Sequence, residues 1–183
     1  MISLQTDRLK LVPLDHSLLK IWSKEGRSTL EKALQISSNP FELEKFYEEE
    51  MQEALANFWL PQTHKYPLDF CWYTNWEIIL KDKSCSIGGI GFSGLPNNEG
   101  YTEIGYVIDQ KFRNLGYANE AIATLIHWAS QDADLKGILA ETPQDNVASQ
   151  KVLQKNGFVK SGEKSLFIKE TIPLFTWQLD IKK

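Results

Sequence analysis

The chain has 183 residues, of which 42% are hydrophobic, 24% charged and 11% aromatic. This is the composition of a globular protein, and the length predicts one domain over residues 1–183. It excludes a disordered, collagen-like or disulfide-framed chain. No run of about 18 apolar residues is present, and the first residues lack a basic stretch followed by an apolar one, so we expect neither a membrane span nor a secretory signal.

The net charge and the cysteine and histidine content limit which partners and metal sites can be expected. Twenty Lys and Arg against 24 Asp and Glu give a net charge of −4, and no basic block stands out, which disfavours nucleic acid as a partner. Cys71 and Cys85 form no Cys-x-x-Cys pair, which predicts two reduced, structural thiols in a cytoplasmic protein. His16, His64 and His127 form no cluster with them, so no metal site is expected.

The first third of the chain predicts one strand and two helices. Residues 9–14 alternate as a short strand does, and Asp15 begins a short helix that continues through Trp22. Over residues 40–58 the apolar positions keep near-helical spacing, with acidic residues as the solvated face. Residues 58–76 hold seven aromatic residues and two prolines without any period, which predicts a loop. Its aromatic side chains either join a core, the commoner outcome, or line a pocket.

The rest of the chain predicts a sheet with helices packed against it. Three strands joined by short turns are expected first, at residues 76–81, 85–92 and 101–108. They are followed by a helix, a strand, a helix and a terminal hairpin, at residues 118–130, 137–142, 147–156 and around 174–179. This order predicts an α/β (α+β) fold with a mixed, mostly antiparallel central sheet flanked by helices.

A literal Gly-x-Gly-x-x-Gly occurs at residues 89–94. A dinucleotide site needs this pattern after a strand and at the start of a helix, so that the helix N-terminus meets the pyrophosphate. Here residues 95–100 have turn composition and lead into another strand. The glycines are therefore expected inside a strand or at its end, where a bulge or close packing explains them.

A second glycine-containing segment, Arg113-Asn-Leu-Gly-Tyr-Ala118, has a better context. A predicted strand ends at Ile108, and an amphipathic helix begins at about Ala118. Backbone N–H groups in such a loop, with the unpaired donors of the first helical turn, can bind a phosphate. Gly116 permits a backbone conformation closed to other residues, and Arg113 adds a permanent positive charge. An anion site and a plain strand–loop–helix turn are equally consistent with these residues alone.

Four segments in order resemble the GNAT N-acetyltransferases. Residues 113–118, preceded by 103–109, are similar to the coenzyme A-binding motif of that family. Residues 145–149 and 152–158 resemble the later Asn-x-x-Ser…Val-Leu-x-Lys-x-Gly-Phe segment. Residues 6–14 resemble the opening strand of the branch that includes the ribosomal-protein N-terminal acetyltransferases. The resemblance implies a GNAT-like acyl-CoA N-acyltransferase fold and transfer of an acetyl group from acetyl-CoA to an amine.

The resemblance also implies which residues hold the coenzyme. Backbone groups of the strand end would hold the pantetheine arm, loop N–H groups would hold the pyrophosphate, and the start of the next helix would contribute two side chains. The implied residues are, in that order, Val107, Ile108 and Asp109; Arg113, Asn114, Leu115, Gly116, Tyr117 and Ala118; Asn146 and Ser149. Asn146 is also the expected N-cap of its helix.

Glu103 is the predicted general base, because it lies four residues before Val107 on the same strand and alternate side chains share one face. Its family position favours this role over that of an ordinary surface glutamate. Glu141 is the second candidate, on a face that the sequence does not fix. Ser149 matches the branch's serine, which could hydrogen-bond or protonate the leaving sulfur, or be a plain surface serine. Many family members carry a tyrosine acid where this chain has Leu153, which excludes that acid.

The expected function is that of a cytoplasmic N-acetyltransferase, a monomer or homodimer, with acetyl-CoA and an amine acceptor as its substrates. The acceptor could be a protein N-terminus or a small-molecule amine. The alternative is a catalytically inactive acyl-CoA-binding module of the same fold. Residues 23–75 match no motif, although the family recognises its acceptor partly through that region.

Overall fold

The computed structural model describes residues 2–167 and 171–182. Its strands are β1 Leu4–Gln5, β2 Leu9–Pro13, β3 Trp76–Leu80, β4 Cys85–Phe92, β5 Tyr101–Ile108, β6 Gly137–Pro143, β7 Val159–Phe167 and β8 Thr171–Asp180. Its α-helices are α1 His16–Glu25, α2 Arg27–Ala33, α3 Lys45–Ala54, α4 Leu60–Lys65, α5 Tyr117–Ala129 and α6 Val147–Lys155.

The strands form one eight-stranded sheet in the order β1-β2-β3-β4-β5-β6-β8-β7. Every neighbouring pair is antiparallel except β5 and β6, which run parallel. The predicted mixed, mostly antiparallel sheet is therefore confirmed, as are the three-strand meander and the terminal hairpin. The parallel pair needs a crossover, and α5 supplies it.

The two halves of β5 have different neighbours. Residues 104–108 pair with β4, whereas only residues 101–103 pair with β6. Beyond Glu103 the parallel strands separate and leave a wedge-shaped opening in the middle of the sheet. This opening, which we call the wedge, positions the site described below.

Alternate residues of β5 face two different cores. Ile104 and Ile108 join the larger cluster, which also contains the buried face of α5. Val107 points to the opposite side and packs against the smaller cluster, to which α1, α2 and α3 contribute. Since Glu103 shares the face of Val107, it lies on the side of the sheet that carries these N-terminal helices.

The first helix begins where it was predicted. Asp15 caps α1, because its side chain accepts a hydrogen bond of 2.9 Å from the Leu18 N–H. The chain then turns at Gly26, whose φ of 84° only glycine adopts easily, and enters α2. This second helix was not predicted, because its seven residues are too few to establish a helical period.

The predicted helix over residues 40–58 and the loop after it were wrong in their boundaries. Helix α3 begins at Lys45, and the chain stays helical through a π-helical turn, Leu55–Trp59, and into α4. The wider π-helical turn shifts the spacing of apolar residues, and Pro61, one residue into α4, has no backbone N–H to donate to the preceding turn. The regular α-helical spacing of apolar residues therefore stops before the helical segment does.

The aromatic residues that follow mostly contribute to the core. Trp72 and Trp76 are buried, and both rings contact that of Trp128 on α5, with centroids 4.9 and 5.1 Å apart. Cys71 and Cys85 are also buried, and both are free thiols. Burial raises the pKa of Cys71 to about 11. Such a thiol is almost entirely protonated at neutral pH and is a poor nucleophile.

Gly89 and Gly91 of the Gly-x-Gly-x-x-Gly pattern lie within β4 and Gly94 follows its end, so the predicted placement inside a strand or at its end is confirmed and the pattern does not open a helix. A Cβ atom on Gly89 would collide with the side chain of Asn75, and one on Gly91 with the carbonyl oxygen of Thr74. Close packing against the preceding segment therefore explains both. No helix within residues 2–167 and 171–182 combines the length and apolar character that a membrane crossing requires.

Candidate active site

A cavity of about 1300 Å³ opens at the wedge. Its walls come from the separated parts of β5 and β6 and from the first turns of α5 and α6, and residues at the start of α3 reach it from one side. Of the residues predicted to form the site, most line this cavity: Val107, Ile108, Arg113, Asn114, Gly116, Tyr117, Ala118, Asn146, Ser149 and Glu141. Glu103, Asp109 and Leu115 do not line it.

The loop before α5 has the geometry of an anion-binding site. Gly116 is the N-cap residue, with φ 86° and ψ −1°, and Asn114 is also left-handed, with φ 62°. Left-handed residues in a tight loop turn successive backbone N–H groups toward one point, and the first turn of α5 adds unpaired donors. Within this loop, Leu115 is exposed and faces outward.

Arg8 fixes this loop from outside. Its Nη1 donates to the Leu115 carbonyl at 3.0 Å, and its Nε donates to Glu120 of α5 at 2.7 Å. The hydroxyl of Thr6 donates to the same carboxylate. The Thr6–Arg8 segment was predicted only as part of a resembling strand, and its contact with the loop spans more than 100 residues, so no local pattern could have revealed it.

Arg113 does not present a free charge to the cavity. Its Nη1 and Nη2 donate to the two carboxylate oxygens of Glu44 at 2.5 and 2.7 Å, and its Nε donates to the Ile108 carbonyl at 2.9 Å. Mainly through these hydrogen bonds, the pKa of Glu44 is lowered to about 2. Arg113 was expected to add a permanent positive charge at the mouth of the loop; its charge is instead paired with that of Glu44. Lys151 and Lys155 of α6 also line the cavity and are cations.

Residues 44–47, which we call the strap, join the two walls of the cavity. At one end Glu44 pairs with Arg113, and at the other the Tyr47 hydroxyl accepts a hydrogen bond of 3.0 Å from Asn146 Nδ2. Burial raises the pKa of Tyr47. Because these partners are 69 and 99 residues away in sequence, the strap could not be inferred from the sequence.

The end of β5 has fewer free backbone groups for the pantetheine arm than predicted. The Asp109 N–H already donates to the Ile87 carbonyl at 2.9 Å, and the fully buried Asp109 carboxylate accepts from Asn39 at 3.1 Å. Hydrogen bonds to one neighbour alternate along an antiparallel strand. Since Asp109 bonds toward β4, so does Val107, which pairs with Gly89, and the expectation that their backbone groups hold the pantetheine arm needs correction. The backbone groups of Tyr106 and Ile108 point toward the wedge instead.

Glu103 and Glu141 lie on one face of the sheet. Glu103 pairs with Leu139 across the parallel strands, and Glu141 is two residues further along β6, which fixes the face that the sequence left open. Between Glu103 and Val107, a Cβ at Gly105 would meet nothing within 4 Å, so this face is open beside the wedge.

The surroundings of Glu103, including the charge of Glu141, shift its protonation. Glu103 is exposed at the sheet surface, yet desolvation of its carboxyl raises its pKa and the charge of Glu141 raises it further. Lys164 of β7 opposes this shift and forms an ion pair with Glu141. A carboxylate whose pKa is raised is a stronger proton acceptor than an ordinary surface glutamate.

Ser149 has a partner that sequence reasoning missed. The Tyr106 hydroxyl lies 2.6 Å from Ser149 Oγ and 3.3 Å from its carbonyl oxygen, and both residues line the cavity. Burial raises the pKa of Tyr106 to about 12, so the phenol stays protonated. Strand alternation puts Tyr106 on the face opposite Glu103, but its contact with α6 depends on the fold. Leu153 is fully buried in the core.

Asn146 caps α6 as predicted, because its Oδ1 accepts a hydrogen bond of 3.0 Å from the Ser149 N–H. The same side chain donates to Tyr47, so it holds both the helix start and the strap. No group of three or more His, Cys, Asp or Glu side chains in the described part of the chain is arranged to hold a metal ion.

Fold and cavity together define a class, an α/β protein whose central sheet opens onto a left-handed loop at the start of a helix. Residues 8–159 match the acetyltransferase (GNAT) domain, so the chain belongs to this family. The uncharacterized N-acetyltransferase YjdG of Bacillus subtilis (strain 168) is 31% identical over 159 residues, which cover 87% of this chain and 90% of YjdG. The ribosomal-protein-serine acetyltransferase of Escherichia coli (strain K12) is 30% identical over 90 residues, or 49% of this chain and 50% of that protein.

Solved structures agree with this fold. The ribosomal-protein-S5-alanine acetyltransferase from Vibrio fischeri has a TM-score of 0.68 at 21% identity, covering 100% of this chain and 98% of its own. The RimL ribosomal L7/L12 alpha-N-protein acetyltransferase, solved with coenzyme A, has a TM-score of 0.69 at 17% identity, covering 98% of both chains. At these identities the likeness concerns the fold alone. The protein is an N-acetyltransferase of the GNAT family, related to ribosomal-protein acetyltransferases.

Proposed function

We propose that this protein transfers an acetyl group from acetyl-CoA to a primary amine. The observation that carries the proposal is that one cavity joins the wedge beside β5 to the left-handed loop at Asn114 and Gly116, next to a sheet face with two carboxylates, of which Glu141 lines the cavity. Each feature answers a separate need of the reaction.

The loop and the wedge would hold a coenzyme A thioester. Backbone N–H groups around Gly116 and the first turn of α5 would bind the pyrophosphate. Lys151 and Lys155 lie in the same cavity and would add positive charge. The backbone groups of Tyr106 and the N–H of Ile108, whose carbonyl already accepts from Arg113, would pair with the amides of the pantetheine arm as an added strand would.

The carboxylates would prepare the amine for attack. An ammonium ion must lose a proton before its nitrogen can form a bond, and a nearby carboxylate of raised pKa can accept that proton directly or through a water. Glu103 is the proposed base, with Glu141 as its neighbour and second candidate. The open surface at Gly105 would leave room for the amine between Glu103 and the thioester.

The hydroxyl pair would assist departure of the thiolate. If the Tyr106 phenol donates to Ser149 Oγ, the serine's own proton is free to point into the cavity. As the carbon–sulfur bond breaks, that proton can hydrogen-bond to the sulfur, which takes the electron pair. The pKa of about 12 for Tyr106 makes it a donor throughout the working pH range.

Replacing Tyr106 by Phe should lower kcat about 10-fold, because Ser149 would lose the partner that orients its hydroxyl, a contribution of about 1–1.5 kcal/mol. Coenzyme affinity should change less than about twofold. Steady-state kinetics of Tyr106→Phe, Ser149→Ala and the double variant would test this. Since Tyr106 acts through Ser149, the double variant should be no slower than Ser149→Ala. Independent, additive losses would contradict the assignment.

The acceptor is proposed to be either a protein N-terminus or a small-molecule amine. Both kinds occur among similar proteins, since one relative is a ribosomal-protein-serine acetyltransferase and one protein of the same fold is a spermidine N-acetyltransferase chimera. A panel containing peptides that begin with serine or alanine and free polyamines, assayed by coenzyme A release, would separate them. The inactive binding module gains no support from relatives that are named as acetyltransferases.

Acetyl-CoA should raise the thermal midpoint of the protein. A ligand at 100 times its Kd stabilises the folded state by about 2.7 kcal/mol, which corresponds to about 5–10 °C for a chain of this size. Differential scanning fluorimetry would measure the shift, with ATP at equal concentration as a control for polyphosphate anions. No shift at millimolar acetyl-CoA, or an equal shift with ATP, would contradict the proposed coenzyme site.

A further inference from the structure

Lys164 of β7 places a primary amine at the candidate active site. Its Nζ forms an ion pair with the Glu141 carboxylate, and Glu141 lines the cavity. The Lys164 side chain is 48% exposed, whereas that of Glu141 is 24% exposed, so the lysine reaches inward from the solvent side. The contact is made by a primary amine, which is the functional group that the proposed reaction acetylates.

Strand register puts this amine on the catalytic face. Glu141 pairs with Thr176 of β8, and Lys164 pairs with Leu174, two residues away on the same strand. Directly opposed residues of antiparallel strands share a face, as do alternate residues of one strand. Lys164, Glu141 and, through the parallel pairing of β6 with β5, Glu103 therefore lie on one side of the sheet.

The three groups also interact electrostatically. Lys164 lowers the pKa of Glu103, while Glu141 raises it. An acceptor amine would enter as an ammonium ion, and the same two carboxylates would hold it before one of them takes its proton. The Lys164 ammonium ion already occupies this position with respect to Glu141.

We propose that Lys164 is an internal acceptor, which the protein acetylates on its own chain. This rests on the proposed function. Glu141 accepts a proton from the Lys164 ammonium ion, and the free Nζ attacks the thioester carbonyl carbon. The carbon–sulfur bond breaks with its electron pair going to sulfur, and the nitrogen loses its second proton. The products are a neutral Nε-acetyl-lysine, coenzyme A as its thiol, and one proton.

Lys160 supplies a matched control within the same strand. It is 40% exposed, close to the value for Lys164, and its Nζ also forms an ion pair, at 2.7 Å with Glu163. Glu163 is not among the cavity-lining residues. Lys160 pairs with Trp177 and therefore lies on the opposite face of the sheet from Lys164, with its Nζ 3.4 Å from the centre of the Phe175 ring. As a lysine of similar exposure away from the proposed site, it reports the background reaction of acetyl-CoA with surface amines.

The test is incubation of the purified full chain with acetyl-CoA, followed by peptide mass spectrometry of both lysines. Lys164 should gain an acetyl group at least about 10-fold faster than Lys160, because its amine is held next to a base. The fraction modified per unit time should not depend on protein concentration, since the reaction is intramolecular. Glu141→Gln should slow acetylation of Lys164 and leave that of Lys160 unchanged.

Equal rates at the two lysines, or a Lys164 rate that rises with protein concentration, would overturn the proposal. So would an unchanged Lys164 rate in Glu141→Gln with a normal thermal midpoint. The same samples should be assayed with the amine panel. Turnover of external amines without acetylation of Lys164 rejects the internal acceptor alone, whereas no thermal shift with acetyl-CoA rejects the proposed function on which it rests.

Discussion

Replacing Gly116 by Val should weaken coenzyme A binding at least about 30-fold. At φ 86° a β-branched residue is strained by about 1–3 kcal/mol, and the loop can relieve this only by rotating toward negative φ. That rotation would turn the surrounding N–H groups away from their common point. A loss of about 2 kcal/mol in binding free energy is the expected result, measured by isothermal titration calorimetry.

Gly157 provides the matched control for this substitution. It follows α6 with φ 85°, and its added Cβ would meet one side-chain atom at 3.3 Å, as would that of Gly116. Gly157 does not line the cavity. Gly157→Val should therefore lower the thermal midpoint by a similar amount while leaving coenzyme affinity within about twofold. Unaltered affinity in Gly116→Val, or equal loss in both variants, would remove the loop from the proposed coenzyme site.

Replacing Glu103 by Gln should lower kcat about 100-fold or more, the usual contribution of a positioned general base. Coenzyme affinity should stay within about twofold, because Glu103 does not line the cavity that would hold the coenzyme. Pre-steady-state and steady-state kinetics with a saturating amine would separate the two effects. Glu163→Gln, which removes a carboxylate from β7 outside the cavity, is the control and should leave kcat unchanged.

The pH dependence identifies which carboxylate is the base. A base works only when deprotonated, so kcat/KM should fall as pH drops through the pKa of Glu103, which lies above its ordinary value. Removing the negative charge of Glu141 by Glu141→Gln lowers that pKa and should move the acid limb to lower pH. Removing the positive charge of Lys164 by Lys164→Met raises it and should move the limb to higher pH. If Glu141→Gln abolishes the acid limb instead, Glu141 is the base.

Local chemistry explains what could be predicted from sequence. Alternating apolar residues and turn glycines define β3, β4 and β5, and the loop at 113–118 is recognisable because one glycine must be left-handed before a helix. Cap residues such as Asp15 act within three positions of themselves. Each of these features depends on residues that are close together in the sequence, so the sequence of one chain is enough to predict it.

Features that depend on distant neighbours were missed. The wedge exists because β5 leaves β6 after Glu103, and that register is a property of two strands more than 30 residues apart. The phenol of Tyr106 beside Ser149, 43 residues away, has the same origin. Helices α3 and α4 were misjudged for a different reason, since a π-helical turn interrupts the period on which the prediction relied.

The strap gives the two proposed substrates a thermodynamic connection. An anion that took the guanidinium fork of Arg113 would have to displace Glu44, and the same short segment holds Asn146 through Tyr47. Helix α3 continues from the strap into the region where acceptor specificity is expected. Any effect of the coenzyme on acceptor affinity transmitted this way must be reciprocal, with the acceptor changing coenzyme affinity by the same factor. Glu44 is thus a place where a single side chain could set the cooperativity between them.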